Sequence, residues 1–297
     1  MRDFRLMHGG GCTRRFASLR SRSAVVLALA IVGVLSVTGV ALATGSSVNF
    51  SFAPSNPGSV VKSGRLSFGT HTNYTGTAHV MNRIQLRWDD DFNFNPDSFP
   101  KCDPTDLAGN LTMQAALQAC GPAAGAANNA WLWPANANFT NGQATFNLAD
   151  QFPTACVLAF NGSGATSELL LFVRVKVVQM SGPIDCGGPT TNTDGDQSFV
   201  IQGDLSANPA IGADFTDPDG CSAPDPRRGC QIDLNGVSNG PIRLVHLNAS
   251  ISRGTYVRAK CVDPPAGNRK WNLQAFYSYM TLSGTKTQTV NGSQTCT

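Results

Sequence analysis

Hydrophobic and polar residues alternate in several segments of the chain after residue 45, and this pattern predicts β-strands. In residues 83–88, for example, Ile84, Leu86 and Trp88 fall on one side and the polar residues fall on the other. Such alternation is typical of a strand with one buried face. The longer predicted strands are residues 83–88, 168–180, 255–260 and 271–279, and the shorter ones are 47–52, 65–68, 144–148, 156–160, 198–205 and 242–251.

Composition supports an all-β fold. The chain contains a single glutamate, Glu168, among 30 glycines, 17 prolines and many Asn, Thr and Ser residues. Such a composition disfavours helices and supplies turns between strands. With 41% hydrophobic residues the chain can bury a core. We therefore predict an antiparallel β-sandwich, either one large sandwich or two small ones.

One segment, near residues 104–120, breaks the alternation and predicts a short helix or two helical turns. Asp103 is a suitable N-cap, Pro104 suits the first helical position, and Gly121 ends the run. Hydrophobic residues then recur at helical spacing, at Met113, Ala116, Leu117 and Cys120.

A second break spans residues 207–240, which are rich in Pro, Gly, Asp and Asn. This composition predicts a long irregular loop, because these residues favour turns and contribute little to a core. The alternative is that the stretch marks a boundary between two sandwich domains.

The first 43 residues have the form of an export signal. Six arginines precede an uncharged run from residue 23 to 45, in which Ala41-Leu42-Ala43 forms a small-x-small cleavage site. We predict a signal peptide over residues 1–43 and a mature chain of residues 44–297, secreted or held in the cell envelope. An uncleaved N-terminal helix that anchors the protein is the alternative, and it is the only membrane contact the sequence predicts.

Removing the leader changes the charge of the protein. The whole chain has a net charge of +3, but the mature part holds 16 basic and 18 acidic residues, a net charge of −2. Its remaining basic residues are scattered along the chain. The sequence therefore does not predict binding to nucleic acid.

Eight of the nine cysteines lie in the predicted mature chain. An even number in an exported protein indicates disulfides, although eight cysteines allow 105 pairings. We predict pairing between nearest neighbours, because each such loop is local. No zinc site is predicted, since histidines do not cluster with cysteines at ligand spacing. The predicted pairs are Cys102 with Cys120, Cys156 with Cys186, Cys221 with Cys230, and Cys261 with Cys296.

A group of short motifs in residues 80–180 resembles a pattern found in uncharacterised secreted proteins of soil actinobacteria. The resemblance implies an exported β-rich fold and a disulfide between Cys102 and Cys120, and it implies no activity. Its motifs are DFNFNP at 91–96, FPKC at 99–102, the segment around Leu107, ACGP at 119–122 and LAFNG at 158–162.

Acidic residues supply the candidate chemistry. Asp89 and Asp91 follow a predicted strand and can share one side of it, as a glycosidase pair requires. A solvated strand end explains them equally simply, and we favour that interpretation. Asp214, Asp217 and Asp219 provide part of a Ca²⁺ shell in a turn-prone stretch, but no complete set of six to eight oxygens.

Two tryptophans, Trp131 and Trp133, could present their rings on one face of an extended segment, as in a sugar-stacking surface; core packing is the alternative. No nucleophile elbow, metalloprotease helix or phosphate-binding loop occurs. We therefore expect a non-catalytic exported protein that is structural or binds a ligand such as a cell-surface glycan or protein, without a cofactor. The alternative is a secreted hydrolase acting on glycans or peptides through Asp89 and Asp91.

Overall fold

The computed structural model of the chain describes the strands and the helical segment of the predicted mature region. The predicted leader, Asp89 and the three aspartates of the predicted calcium loop lie outside the described residues. The described residues are 46–72, 80–88, 91–122, 128–133, 140–147, 154–164, 167–175, 197–206, 231–235, 237, 243–261, 269–281 and 284–296.

Fourteen strands account for most of these residues. They are β1 (Ser47–Ala53), β2 (Lys62–Ser63), β3 (Arg65–His71), β4 (Val80–Trp88), β5 (Phe92–Phe94), β6 (Gly142–Asn147), β7 (Thr154–Gly164), β8 (Ser167–Val175), β9 (Gln197–Ser206), β10 (Gln231–Asn235), β11 (Arg243–Ile251), β12 (Val257–Ala259), β13 (Lys270–Thr281) and β14 (Gly284–Thr295).

Eleven of the strands form one antiparallel sheet, in the order β1-β3-β11-β6-β7-β8-β9-β10-β4-β13-β14, and β2, β12 and β5 form a second small sheet. The two edge strands of the large sheet contact each other. The amide of Gln294 on β14 accepts a hydrogen bond from the backbone N of Phe52 on β1 at 2.6 Å and donates to its carbonyl at 3.1 Å. The large sheet is therefore nearly closed, and the predicted antiparallel all-β fold is confirmed.

The alternation of hydrophobic and polar residues along the strands determines which side chains form the core. Ile84, Leu86 and Trp88 on β4 are fully buried, as the pattern predicts. Trp88 and Trp271 on β13 meet the ring of Phe92, with centroid distances of 6.3 and 5.3 Å. Burial of such large side chains supplies most of the hydrophobic stabilisation.

A helical segment covers the outer face of the sheet at β7 and β8. It contains a 3-10 turn at Pro104–Leu107, where the Asp103 side chain accepts from the Thr105 N–H, and helix α1 at Met113–Cys120. The predicted helix near 104–120 is confirmed in this two-part form. Because the core covers one face and this segment the other, both faces of β7 and β8 are buried. The helical segment and the outer face of these two strands form a second hydrophobic cluster, separate from the main core. Its residues include Leu107, Leu117, Leu158, Phe160, Leu170 and Phe172.

Disulfides close two of the predicted loops, Cys102–Cys120 and Cys261–Cys296. Cys156 is also disulfide-bonded. The other four described cysteines pair with one another, so the partner of Cys156 lies outside the described residues. The proposed pairs with Cys186 and between Cys221 and Cys230 stay predictions.

Four of the described strands were not predicted from the sequence, namely β2 and β5 of the small sheet and β10 and β14 of the large sheet. Residues 231–235, assigned to a long irregular loop, form β10 and pair with β9 on one side and β4 on the other. β14, which pairs with β13 along its whole length, is polar and lacks a hydrophobic alternation.

Within the described residues, no helix has the length and hydropathy needed to cross a membrane.

Candidate functional site

A cleft of about 670 Å³ lies over the outer face of β1, β3, β11 and β6. Eight of the fourteen described lining residues carry a side-chain amide or hydroxyl, and Arg65 is the charged residue among those fourteen. A volume of this size is typical of small-ligand sites. The lining residues are Asn49, Phe50, Ser51, Arg65, Ser67, Phe68, Trp133, Thr140, Asn141, Gly142, Gln143, Asn248, Ala249 and Ser250.

Strand register brings the polar residues of the cleft floor together. Asn49 on β1 and Asn248 on β11 both pair with Gly69 on β3, and Asn248 also pairs with Gln143 on β6. These side chains lie on the outer face because Val48 and Phe50 beside Asn49, like Leu247 and Ala249 beside Asn248, point into the core. The result is a row of three amides across four strands.

Gly69 leaves room for this row. A Cβ atom at position 69 would lie 2.3 Å from Asn248 Oδ1 and 2.5 Å from Asn49 Oδ1, both far inside normal contact distance. The two amides therefore close over the glycine from either side. Within the described part of the chain, neither amide makes a hydrogen bond to another protein group. Each amide offers a donor and an acceptor to a ligand.

A serine row runs beside the amide row. Ser51 pairs with Ser67, and Ser67 pairs with Ser250, across β1, β3 and β11. The hydroxyls of Ser67 and Ser250 are 2.7 Å apart and share a hydrogen bond. Ser250 Oγ also accepts a hydrogen bond from Nη2 of Arg65 at 3.3 Å. The hydroxyls thus link the floor of the cleft to the guanidinium of Arg65.

Arg65 and Trp133 stack on each other at the edge of the cleft. The guanidinium carbon of Arg65 lies 4.7 Å from the centroid of the Trp133 ring, which is within the range of a cation–π contact. Trp133 is partly buried against the second hydrophobic cluster, and its Nε1 has no hydrogen-bond partner among the described residues. Trp133 therefore provides a cation–π contact that helps to hold the guanidinium at the edge of the cleft.

Asn141 holds the segment that carries Trp133. Its Oδ1 accepts hydrogen bonds from Trp131 Nε1 at 2.7 Å and from the Ala159 N–H at 2.8 Å. Its Nδ2 donates to the Ser250 carbonyl at 2.9 Å. Asn141 is 3% exposed, so these bonds are shielded from water. One buried amide thus connects β7, β11 and the segment of residues 128–133 that carries Trp131 and Trp133.

The two tryptophans chosen from the sequence have different positions. Trp131 is 2% exposed and packs in the second cluster, so the paired sugar-stacking surface does not form. Core packing prevails there because burial of the indole is favourable once Asn141 accepts its N–H. Only Trp133 reaches the cleft.

Asp91, one residue of the predicted carboxylate pair, is not among the residues that line the cleft. Asp91 is buried, and its Oδ1 lies 3.7 Å from Nζ of Lys260. Its backbone carbonyl accepts from the Lys260 N–H at 3.1 Å. Asp91 therefore anchors the small sheet through an ion pair, while Asp89 lies outside the described residues. In the part of the chain that the structure describes, no group of three or more His, Cys, Asp or Glu side chains is arranged to hold a metal ion.

A second acidic group, which the sequence pattern did not indicate, lies where β8, β9 and β10 run side by side. Burial raises the pKa of Glu168, and the neighbouring Asp204 carboxyl raises it further. Asp233, paired with Asp204 across the strands, receives two hydrogen bonds from the Arg83 guanidinium, one of them at 2.7 Å. These residues do not line the cleft. Glu168, Asp204 and Asp233 are far apart in the sequence and become neighbours only because β8, β9 and β10 pair. The sequence alone therefore does not indicate this group.

A histidine pair lies next to the amide row. His71 on β3 and His246 on β11 are directly opposite each other, with ring centroids 5.8 Å apart. Burial lowers the pKa of His246, and the nearby His71 lowers it further. Neither histidine is among the residues that line the cleft.

Comparisons with known proteins give no family for this chain. No protein-family profile and no curated protein sequence matches it. One solved structure, described as the complete structure of manganese lipoxygenase of Gaeumannomyces graminis and partial structure of zonadhesin of Komagataella pastoris, aligns over 84% of this chain and 94% of that chain. The identity is 11% and the TM-score 0.17, which carries no argument about fold or function.

Proposed function

We propose that the protein is an exported, non-catalytic binding protein and that its cleft binds a glycan. The observation that carries the proposal is the row of Asn49, Asn248 and Gln143, whose amides face the cleft without a protein hydrogen-bond partner in the described residues. Sugar hydroxyls both donate and accept hydrogen bonds, as do side-chain amides. The row thus matches a ligand with several hydroxyls.

The other lining residues support binding rather than turnover. None of the described residues that line the cleft is an Asp, Glu or His. Glycoside hydrolysis ordinarily requires two carboxyl groups flanking the bond that is cut. A cleft with amides and hydroxyls can hold a sugar chain without cleaving it. The sheet beneath the cleft fixes the backbone positions of the amides, which lowers the entropic cost of binding.

Export supports a glycan outside the cell as the ligand. The N-terminal leader has the pattern of a secretory signal, and disulfides such as Cys102–Cys120 and Cys261–Cys296 form and persist in oxidising compartments. Glycans of a cell surface or of the surrounding medium are available to such a protein.

The test is a glycan-binding screen of the exported, purified protein, followed by calorimetric titration of each glycan that binds. We expect Asn49→Ala and Asn248→Ala each to weaken binding by about tenfold, corresponding to one lost hydrogen bond of about 1.4 kcal/mol. Asn235→Ala is the matched control, since Asn235 is an exposed amide on β10 outside the cleft. It should leave the affinity unchanged.

Two outcomes would contradict this proposal. One is that no glycan binds, or that both cleft variants bind as the wild type does. The other is turnover of a glycan, ester or peptide substrate that a folded Asp89→Asn, Asp91→Asn double variant loses. That second result establishes the hydrolase alternative.

A further inference from the structure

We infer that the glycan bound in the cleft carries a carboxylate, which Arg65 binds. This inference rests on the proposed glycan-binding function and specifies its ligand class. Among the described residues of the cleft lining, Arg65 supplies the one charge, at the start of β3 beside the serine row. A cation at that position selects for an acidic saccharide.

The guanidinium of Arg65 is held by two contacts. The guanidinium carbon lies 4.7 Å from the centroid of the Trp133 ring, in a cation–π contact, and Ser250 Oγ accepts one of the guanidinium hydrogen bonds at 3.3 Å. A guanidinium has five N–H donors in a fixed planar arrangement. These contacts occupy one donor and one face, so most of the donors stay available to a ligand.

No acidic side chain among the described residues neutralises this cation. Within the described residues, Arg65 makes no ion pair and no hydrogen bond besides that to Ser250. In contrast, Arg83 is paired with Asp233, and Lys260 lies beside Asp91. Arg65 is also exposed, so a ligand can reach it without breaking a protein ion pair.

A carboxylate fits this arrangement better than a neutral group does. Two parallel N–H donors of arginine match the two oxygens of a carboxylate, and such bidentate pairs are strong and directional. The hydroxyls of Ser51 and Ser67 lie on the same face and can bond the sugar hydroxyls next to the acid. The amide row then binds the rest of the chain. The class of ligand this describes is a uronic-acid oligosaccharide.

The test compares uronate oligosaccharides with the same oligosaccharides after chemical reduction of their carboxyl groups. Calorimetric titration in about 0.15 M salt suppresses non-specific attraction between charges. We expect the wild-type protein to bind the acidic form at least tenfold more tightly than the reduced form. Arg65→Gln should bring this ratio close to one, and Arg65→Lys should give an intermediate ratio, because lysine lacks the planar fork.

Lys101→Gln is the charge-matched control. Lys101 is an exposed cation that pairs with Asp97 and does not line the cleft. This variant should keep the wild-type preference for the acidic form. Loss of the preference in both variants would mean that overall charge, not Arg65, selects the ligand, and would overturn the inference.

The remaining outcomes separate this inference from the proposed function. Equal binding of the acidic and reduced forms by the wild type overturns the carboxylate assignment and leaves glycan binding in place. The same holds if Arg65→Gln keeps the preference, or if sulfated oligosaccharides of equal length bind more tightly than uronates. If neither form binds, the proposed function fails, and the inference fails with it.

Discussion

Replacing Asn141 by alanine should strongly destabilise the protein. The alanine leaves two buried donors, the Trp131 Nε1–H and the Ala159 N–H, without the acceptor at 2.7 and 2.8 Å that they now have. It also removes the donor to the Ser250 carbonyl. Each unsatisfied buried group costs about 1–3 kcal/mol, so we expect the free energy of unfolding to fall by about 4 kcal/mol.

Equilibrium unfolding in urea measures this loss. The midpoint should fall while the slope m stays constant, because the surface exposed on unfolding is unchanged. Asn235→Ala, which removes an exposed amide, should change the stability by less than about 0.5 kcal/mol. If Asn141→Ala lowers the free energy of unfolding by less than about 1 kcal/mol, the view that this amide holds residues 128–133 against β7 and β11 is refuted.

Asn141→Asp separates the acceptor role of the side chain from its donor role. The aspartate keeps an acceptor for Trp131 and Ala159 but places a carboxylate oxygen against the Ser250 carbonyl. A buried unpaired carboxylate is unfavourable, so its pKa rises and its protonated form is preferred. We expect this variant to gain stability relative to the wild type as the pH is lowered from 7 to 5. No relative gain would contradict the assigned contacts.

Four further variants test other parts of the account. Gly69→Ala should weaken glycan binding by about tenfold or more, with little change in the urea midpoint, because its Cβ displaces only the ends of the two asparagines above it. Burial raises the pKa of Glu168 in the folded state; its contribution to stability is therefore present below the ordinary glutamate pKa and lost as the pH rises through the folded pKa. Glu168→Gln should remove that decline in a series of unfolding curves. Burial lowers the pKa of His246, so the wild type should lose stability as the pH falls below about 6.5, and His246→Gln should lose less. Replacing both Cys261 and Cys296 by serine opens a loop of 35 residues and should cost about 4 kcal/mol in thermal or urea unfolding.

The strands that form the core could be predicted because burial on one face leaves a period of two in the sequence. Ile84, Leu86 and Trp88 are fully buried, as are Trp271 and Leu273. The apolar run in β8 indicates burial but not its cause. Its second buried face exists because the helical segment covers it, and nothing in the sequence of β8 specifies that cover.

The hydrophobic pattern of the sequence did not predict β14 and β10, and the physical reason differs between the two strands. β14 is polar because nearly all of its residues are at least partly exposed, and its pairing with β13 depends on backbone hydrogen bonds that leave no pattern in the sequence. β10 is only five residues long and follows a stretch rich in turn-forming residues. The turn-forming residues of this stretch therefore predicted a loop, although Ile232 and Leu234 show the alternation of a short strand.

The cleft could be predicted only in fragments. Trp133 was visible as a candidate ligand contact, and the polar positions of β1 could be assigned to an outer face. Asn49, Arg65 and Asn248 are far apart in the chain, however, and come together only because β1, β3 and β11 are neighbours. The strand order of a sheet depends on long-range pairing, which a single sequence does not show.

A crystal structure of the protein with a bound uronate oligosaccharide would test the central claim most directly. Our account predicts electron density in the cleft, with sugar hydroxyls within about 3.2 Å of the Asn49 and Asn248 amides and a carboxylate at the same distance from the Arg65 guanidinium. An oligosaccharide bound on another surface, with the amide row of the cleft left unoccupied, would contradict it.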